Sequence, residues 1–165
     1  MRKDLFFVCP TDSLESSINA VFKQENYYIS SLGNSISFDK KMMGEIEDLI
    51  EIKGIRTVNF VLSLENQIVL DAVGNQVYIA IQGMDDFYKR VIKNKKQLEA
   101  SWQMWNPKLL ILSHHLNEKI QEFKYQLNNP LLDQLQINGK IYAGQVNAFI
   151  DIYSDAIYFQ CFSQN

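Results

Sequence analysis

Few side chains in this sequence are equipped for chemistry, and their spacing narrows what they could do. The two histidines stand side by side as His114-His115. Adjacent residues on a helix diverge and do not present two ligands to one metal. His114 falls opposite the stripe Leu109, Leu112 and Leu116, and His115 on its flank, so both read as solvated surface. Cys9 and Cys161 lie far apart and are expected as free thiols of a reducing compartment. Richer chemistry collects in three short stretches, Pro10 to Leu14, Ser31 to Asn34 and Ser63 to Gln67. They supply Thr11, Asp12, Ser13, Asn34, Ser63, Glu65, Asn66 and Gln67. These groups hydrogen-bond, and no nucleophile–base pair is evident among them. They suit a small anion or polar metabolite, or a carboxylate base (Asp12 or Glu65) if burial raises its pKa.

Each stretch follows an apolar run that must position it. Leu5 to Cys9 is continuously apolar, which suits a strand buried on both faces. Leu14, Ile18, Val21 and Phe22 then recur at helical spacing, and Asp12 with Glu15 has the spacing of a capping box. A cap is the leading explanation of Asp12. A second strand from about Tyr27 to Leu32 ends at Gly33-Asn34, a pair suited to a turn of positive φ. The spacing of Met42, Met43, Ile46, Leu49 and Ile50 predicts a helix over about 38–53, with Asp39 near its start and Gly54 as its stop. Thr57 to Leu62 reads as a third buried strand. The order β-α-β-α-β favours a parallel sheet with right-handed crossovers, and ligands of such sheets bind outside the carboxyl ends of the strands. The three polar stretches occupy those ends.

The rest is read more coarsely. Glu65 to Gly83 fits a short helix or a hairpin about Gly74-Asn75, and periodicity leaves both open. Asp85-Asp86 lead a helix carrying Phe87, Val91, Ile92 and Leu98, with Lys93 to Lys96 as a solvated cationic end. Asn106-Pro107 starts a long helix that Asn128-Asn129-Pro130 ends. Trp102, Met104 and Trp105 suit either core or a partner surface. Val146, Ala148, Ile150 and Ile152 alternate with polar neighbours, and a turn at Ser154-Asp155 leads into Ala156 to Phe162. This tail reads as an antiparallel extension.

The three strand ends also resemble a known family. β-Class carbonic anhydrases end their first strand in Cys-x-Asp-x-Arg, their second in Arg-Asn-Ala-Gly-Asn and their third in Gly-His-x-x-Cys-Gly. Here the matching stretches are Val8-Cys9-Pro10-Thr11-Asp12-Ser13-Leu14, Ser30-Ser31-Leu32-Gly33-Asn34 and Ser63-Leu64-Glu65-Asn66-Gln67-Ile68. Ser35 to Ile55 is similar to the family helix joining strands two and three. Leu116 to Leu132 resembles its late helix, and Gly144 to Asp151 its closing Gly-x-x-Tyr-Asp strand. Glu65 to Trp105 matches poorly.

The resemblance implies a three-layer α/β domain over 1–165. Its central parallel sheet would be ordered 2-1-3-4, with an antiparallel C-terminal strand, and the protein would be a homodimer. It also places the family's zinc ligands on Pro10, Leu64 and Gln67, while the Asp of the Asp–Arg pair is retained as Asp12 and its Arg is replaced by Leu14. Zinc in such a site wants thiolate and imidazole donors, at least three of them. Cys9 lies one residue before a ligand position, and bringing it in would need a bulge. Without such donors nothing lowers a water's pKa from about 15.7 to about 7. The expectation is a catalytically inactive binding or assembly module without metal or cofactor. Its vestigial cleft would comprise Pro10, Thr11, Asp12, Ser13, Gly33, Asn34, Ser63, Leu64 and Gln67. The alternative is a metal-independent enzyme with Asp12 or Glu65 as base.

Bulk properties agree with a folded domain. The chain has 165 residues, 47% of them hydrophobic and only three prolines, which argues against disorder. A formal charge of −3 without a basic stripe excludes the usual footprint of a nucleic-acid binder. After Met1-Arg2-Lys3-Asp4 only Leu5 to Cys9 are continuously apolar, too short for a signal peptide or membrane span, so a cytoplasmic protein is expected.

Overall fold

The structure, a computed structural model, describes residues 1–98, 106–127 and 134–153. Trp102, Met104, Trp105, Asn128 to Pro130, Cys161 and the second strand expected over 156–162 lie outside the described residues. Among the described residues five strands form one sheet: β1 (Lys3–Val8), β2 (Glu25–Ser30), β3 (Thr57–Ser63), β4 (Gln136–Ala143) and β5 (Ala148–Asp151). Their order is β2-β1-β3-β4-β5. The first four run parallel, and β5 returns antiparallel to β4. The expected sheet order and its antiparallel closing strand are therefore present.

β1 and β3 are central because their side chains are apolar on both faces. On one face Leu5, Phe7, Val58, Phe60, Leu62 and Ile141 pack with helices α2 (Lys40–Lys53), α3 (Gln67–Val73), α4 (Asp85–Leu98) and α5 (Pro107–Gln126). At its centre Phe7 and Phe60 stack with centroids 4.5 Å apart, and Phe123 of α5 meets each edge-on. On the other face Phe6, Val8 and Val61 pack with Leu14 and with Ile18 of the short helix α1 (Glu15–Val21).

Local chemistry sets the helix ends. Asp39 accepts the Met42 N–H at 2.9 Å, and Gly54 closes α2 in the left-handed region. Asn106 accepts the Leu109 N–H at 3.2 Å with Pro107 in the first turn of α5. The hairpin alternative for 65–83 is not adopted: Asn66 caps α3 by accepting the Val69 N–H at 2.9 Å, and Gly74 ends it. Asp71 then holds the next turn by accepting the N–H groups of Val77 and Tyr78, and its carboxylate also takes the Tyr88 hydroxyl of α4. The described part of the poorly matched segment, residues 65–98, thus folds as α3, a 3-10 turn and α4.

Two further elements differ from expectation. β5 starts only at Ala148, because Val146 and Asn147 close a turn onto the carbonyls of Ala143 and Gly144. β4 carries Gly139 opposite Phe60, where a Cβ would collide with Ile152 and Ile120. The residue pattern of this segment does not mark a strand, and β4 supplies the fourth position that the resemblance implies. Among the described residues no helix is long and apolar enough to cross a membrane.

Candidate functional site

The three polar stretches converge at the carboxyl ends of β1, β2 and β3. The first is a 3-10 turn, Pro10–Asp12, after which Ser13 takes a left-handed φ of 50°. That residue separates Asp12 from the helix it was expected to cap: α1 starts after Leu14 with no side-chain cap. Asp12 instead reaches across to the third stretch. Its Oδ2 accepts the Ser63 N–H at 2.8 Å, and its Oδ1 accepts the Asn66 amide at 2.9 Å. Burial raises its pKa above the usual carboxylate value, opposed by the bonds from Ser63 and Asn66.

The second stretch sits between them. Gly33 and Asn34 have φ of 58° and 54°, as the turn reading requires. Asn34 is fully buried, and its amide donates to the carbonyls of Phe7 and Val61 at 3.3 and 3.0 Å, joining the ends of β1 and β3. The Gly33 N–H donates to the Cys9 sulfur at 3.1 Å, and the Cys9 thiol also contacts the Thr11 hydroxyl at 3.0 Å. Cys9 is completely buried, so it is packed within the fold and does not line an open cleft.

The sequence reading of His115 is overturned. It is 1% exposed, its Nε2–H donates to the Gly33 carbonyl at 2.6 Å, and its ring meets Phe87 edge-on. Burial pushes its pKa down to about 3; Lys119, Arg90 and His114 lower it further, while the bond to Gly33 opposes them. It is therefore neutral near pH 7. The apolar stripe of α5 records only the side facing the sheet, and α5 is also covered by α4, which buries residues on the flank. Lys119 is buried as well, donating to the Ile36 carbonyl and to Glu122, each at 2.6 Å, with its ammonium 4.9 Å from the Phe38 ring centroid. His114 is partly exposed and lies 3.9 Å from Glu118.

The remaining site residues face outward. Pro10, Thr11, Ser13, Glu65 and Gln67 are exposed, and Ser63 and Leu64 are half-buried. Glu65 pairs with Lys108 at 2.5 Å. At Gly33 a Cβ would stand 3.0 Å from Phe87 and 3.1 Å from Ile68, so the space beside this turn is filled by side chains of α3 and α4.

These contacts define an α/β protein with a polar junction at the strand ends, tied by protein groups. The fold is that of the β-carbonic anhydrases. The chain is similar to the β-carbonic anhydrase CafA of Aspergillus fumigatus at 14% identity and a TM-score of 0.70, covering 98% of this chain and 82% of that one. It is similar to a tetrameric β-carbonic anhydrase of Sordaria macrospora at 11% identity and TM-score 0.68, covering 93% and 81%. Coccomyxa β-carbonic anhydrase in complex with acetazolamide matches at 12% identity and TM-score 0.62, covering 99% and 84%. No protein-family model and no curated protein matches the sequence. The likeness is one of fold.

That fold implies zinc, and the residues present do not fit it. Pro10 and Leu64 carry no donor atom, and Gln67 offers a neutral amide. The Cys9 sulfur already receives the Gly33 N–H. Among the described residues no group of three or more His, Cys, Asp or Glu could hold a metal ion.

Proposed function

We propose that this chain is a catalytically inactive protein on a β-carbonic-anhydrase fold, serving as a cytoplasmic binding or assembly module. The observation that carries the reading is the chemistry of the three ligand positions, where Pro10, Leu64 and Gln67 stand on an otherwise retained framework. Self-association is the form of assembly with most support, since one protein of the same fold is tetrameric. The small-anion role has less. The Ser63 N–H, Gly33 N–H and the Asn34 and Asn66 amides are engaged by protein acceptors, and one of those acceptors is the Asp12 carboxylate. An anion would have to break these bonds and approach a carboxylate.

A metal-independent enzyme using Asp12 as base draws support from its raised pKa. It ranks second because both Asp12 oxygens already accept hydrogen bonds and Glu65 is exposed and paired with Lys108. The test is metal analysis of the purified protein together with a carbon dioxide hydration assay and light scattering across concentration. The expected result is no zinc, no hydration above buffer, and an oligomer. Stoichiometric zinc with hydration activity would overturn the inactive reading, and a monomer at every concentration would overturn self-association.

A further inference from the structure

The residues placed where a metal would bind the loops together disagree with a metal, and the loops are nonetheless joined. We propose that a metal-free clasp centred on Asp12 and Gly33 holds the three strand-end loops together. This inference rests on the zinc-free reading above and deepens it, by assigning the residues that do the structural work.

The ligand positions fall on two loops: Pro10 on the first, Leu64 and Gln67 on the third. Asp12 joins those same two loops. One oxygen takes a backbone N–H of the third loop, and the other takes the side chain of Asn66. The load passes onward, because Asn66 uses its own Oδ1 to cap α3 through the Val69 N–H. The second loop is gripped at both ends of one residue. The Gly33 N–H goes to Cys9 at the end of β1, and the Gly33 carbonyl takes the His115 proton from α5. Asn34 completes the junction by bridging the Phe7 and Val61 carbonyls. Phe87 and Ile68 close over Gly33. Apart from the local Asn66 cap, each bond connects segments distant in sequence, as a coordinated ion would, and all use donors and acceptors carried by the chain itself.

The experiment is thermal unfolding and amide hydrogen exchange on the full chain, with chelator, with added zinc and with neither. The wild type is expected to unfold at one temperature in all three conditions. Asp12→Ala leaves the Ser63 N–H and Asn66 amide without their acceptor, and should lower Tm by roughly 4–10 °C. It should also speed exchange of the Ser63 amide while the Phe60 amide of β3 keeps its protection. Asp12→Asn retains one acceptor oxygen and should fall between, which keeps the test decisive if the alanine variant does not fold. Wild-type Tm and Ser63 exchange in Asp12→Asn would overturn the clasp even in zinc-free protein. Zinc that copurifies and supports hydration would overturn the proposed function instead, and chelated Asp12 variants would then judge the clasp separately.

Discussion

Burial of His115 makes acid sensitivity a quantitative test of the junction. Its pKa is about 3 in the folded protein against a usual 6.5, so between those values the unfolded chain binds a proton that the native state refuses. Stability therefore rises with pH across this window, and is lost as pH falls below the unfolded value. One pKa unit corresponds to about 1.4 kcal/mol. From about pH 7.5 to about pH 5.5 this residue alone removes about 1.4 kcal/mol, equivalent to roughly 3–6 °C of Tm in a domain of this size. His115→Gln retains an amide that can donate to the Gly33 carbonyl and has no titrating ring. Its intrinsic cost, from lost packing against Phe87, should be about 1–3 kcal/mol at neutral pH.

The assay is urea unfolding of both proteins at several pH values. The groups around His115, namely Lys119, Arg90 and His114, are common to the two chains and cancel in the difference. Asp12 also cancels, which matters because its slope has the opposite sign. A carboxylate whose folded pKa is raised favours the native state as pH falls toward its usual 3.8. The gap between wild type and His115→Gln should narrow by about 1.4 kcal/mol over the stated interval. Parallel profiles would refute the burial argument, as would a His115 ring signal that titrates near its usual value in proton NMR.

Two other substitutions probe the same junction. Gly33→Ala places a side chain at a φ of 58° and against Phe87 and Ile68, and should cost about 2–4 kcal/mol, read as a lower urea midpoint at unchanged slope. Lys119→Ala removes a buried stem, orphans the Ile36 carbonyl and takes a partner from Glu122, and should cost about 2–4 kcal/mol in the same assay.

The first half of the fold was legible because its signals are local. Apolar runs mark β1 and β3, Asp39 and Gly54 bracket α2, and Gly33-Asn34 takes the positive φ that its residue types suit. β4 was not placed by its own residues, since the reason for Gly139 is the side chains of Ile120 and Ile152, distant in sequence. The three loops were correctly gathered, and their internal wiring was not. Asp12 and Glu15 have capping-box spacing, but the left-handed turn at Ser13 releases the carboxylate toward Ser63. His115 needed a second packing partner for α5, and periodicity along one helix reports a single face.

On the proposed zinc-free reading, the same positions account for how the fold is kept without a metal. The residues that build the sheet, Leu5, Phe7, Val58, Phe60 and Leu62, are fully buried, and changes there cost core packing. Pro10 and Gln67 are exposed and Leu64 only half-buried, so their identity is weakly coupled to the core. In a protein that depends on a metal to hold its loops, loss of the ligands would also cost their alignment. In the proposed clasp, Asp12, Asn34, Asn66 and His115 make the joining contacts from positions other than Pro10, Leu64 and Gln67, so the clasp makes framework and metal chemistry separable. A likeness at 11–16% identity carries the fold, and the reaction is a separate matter decided by the residues at the strand ends.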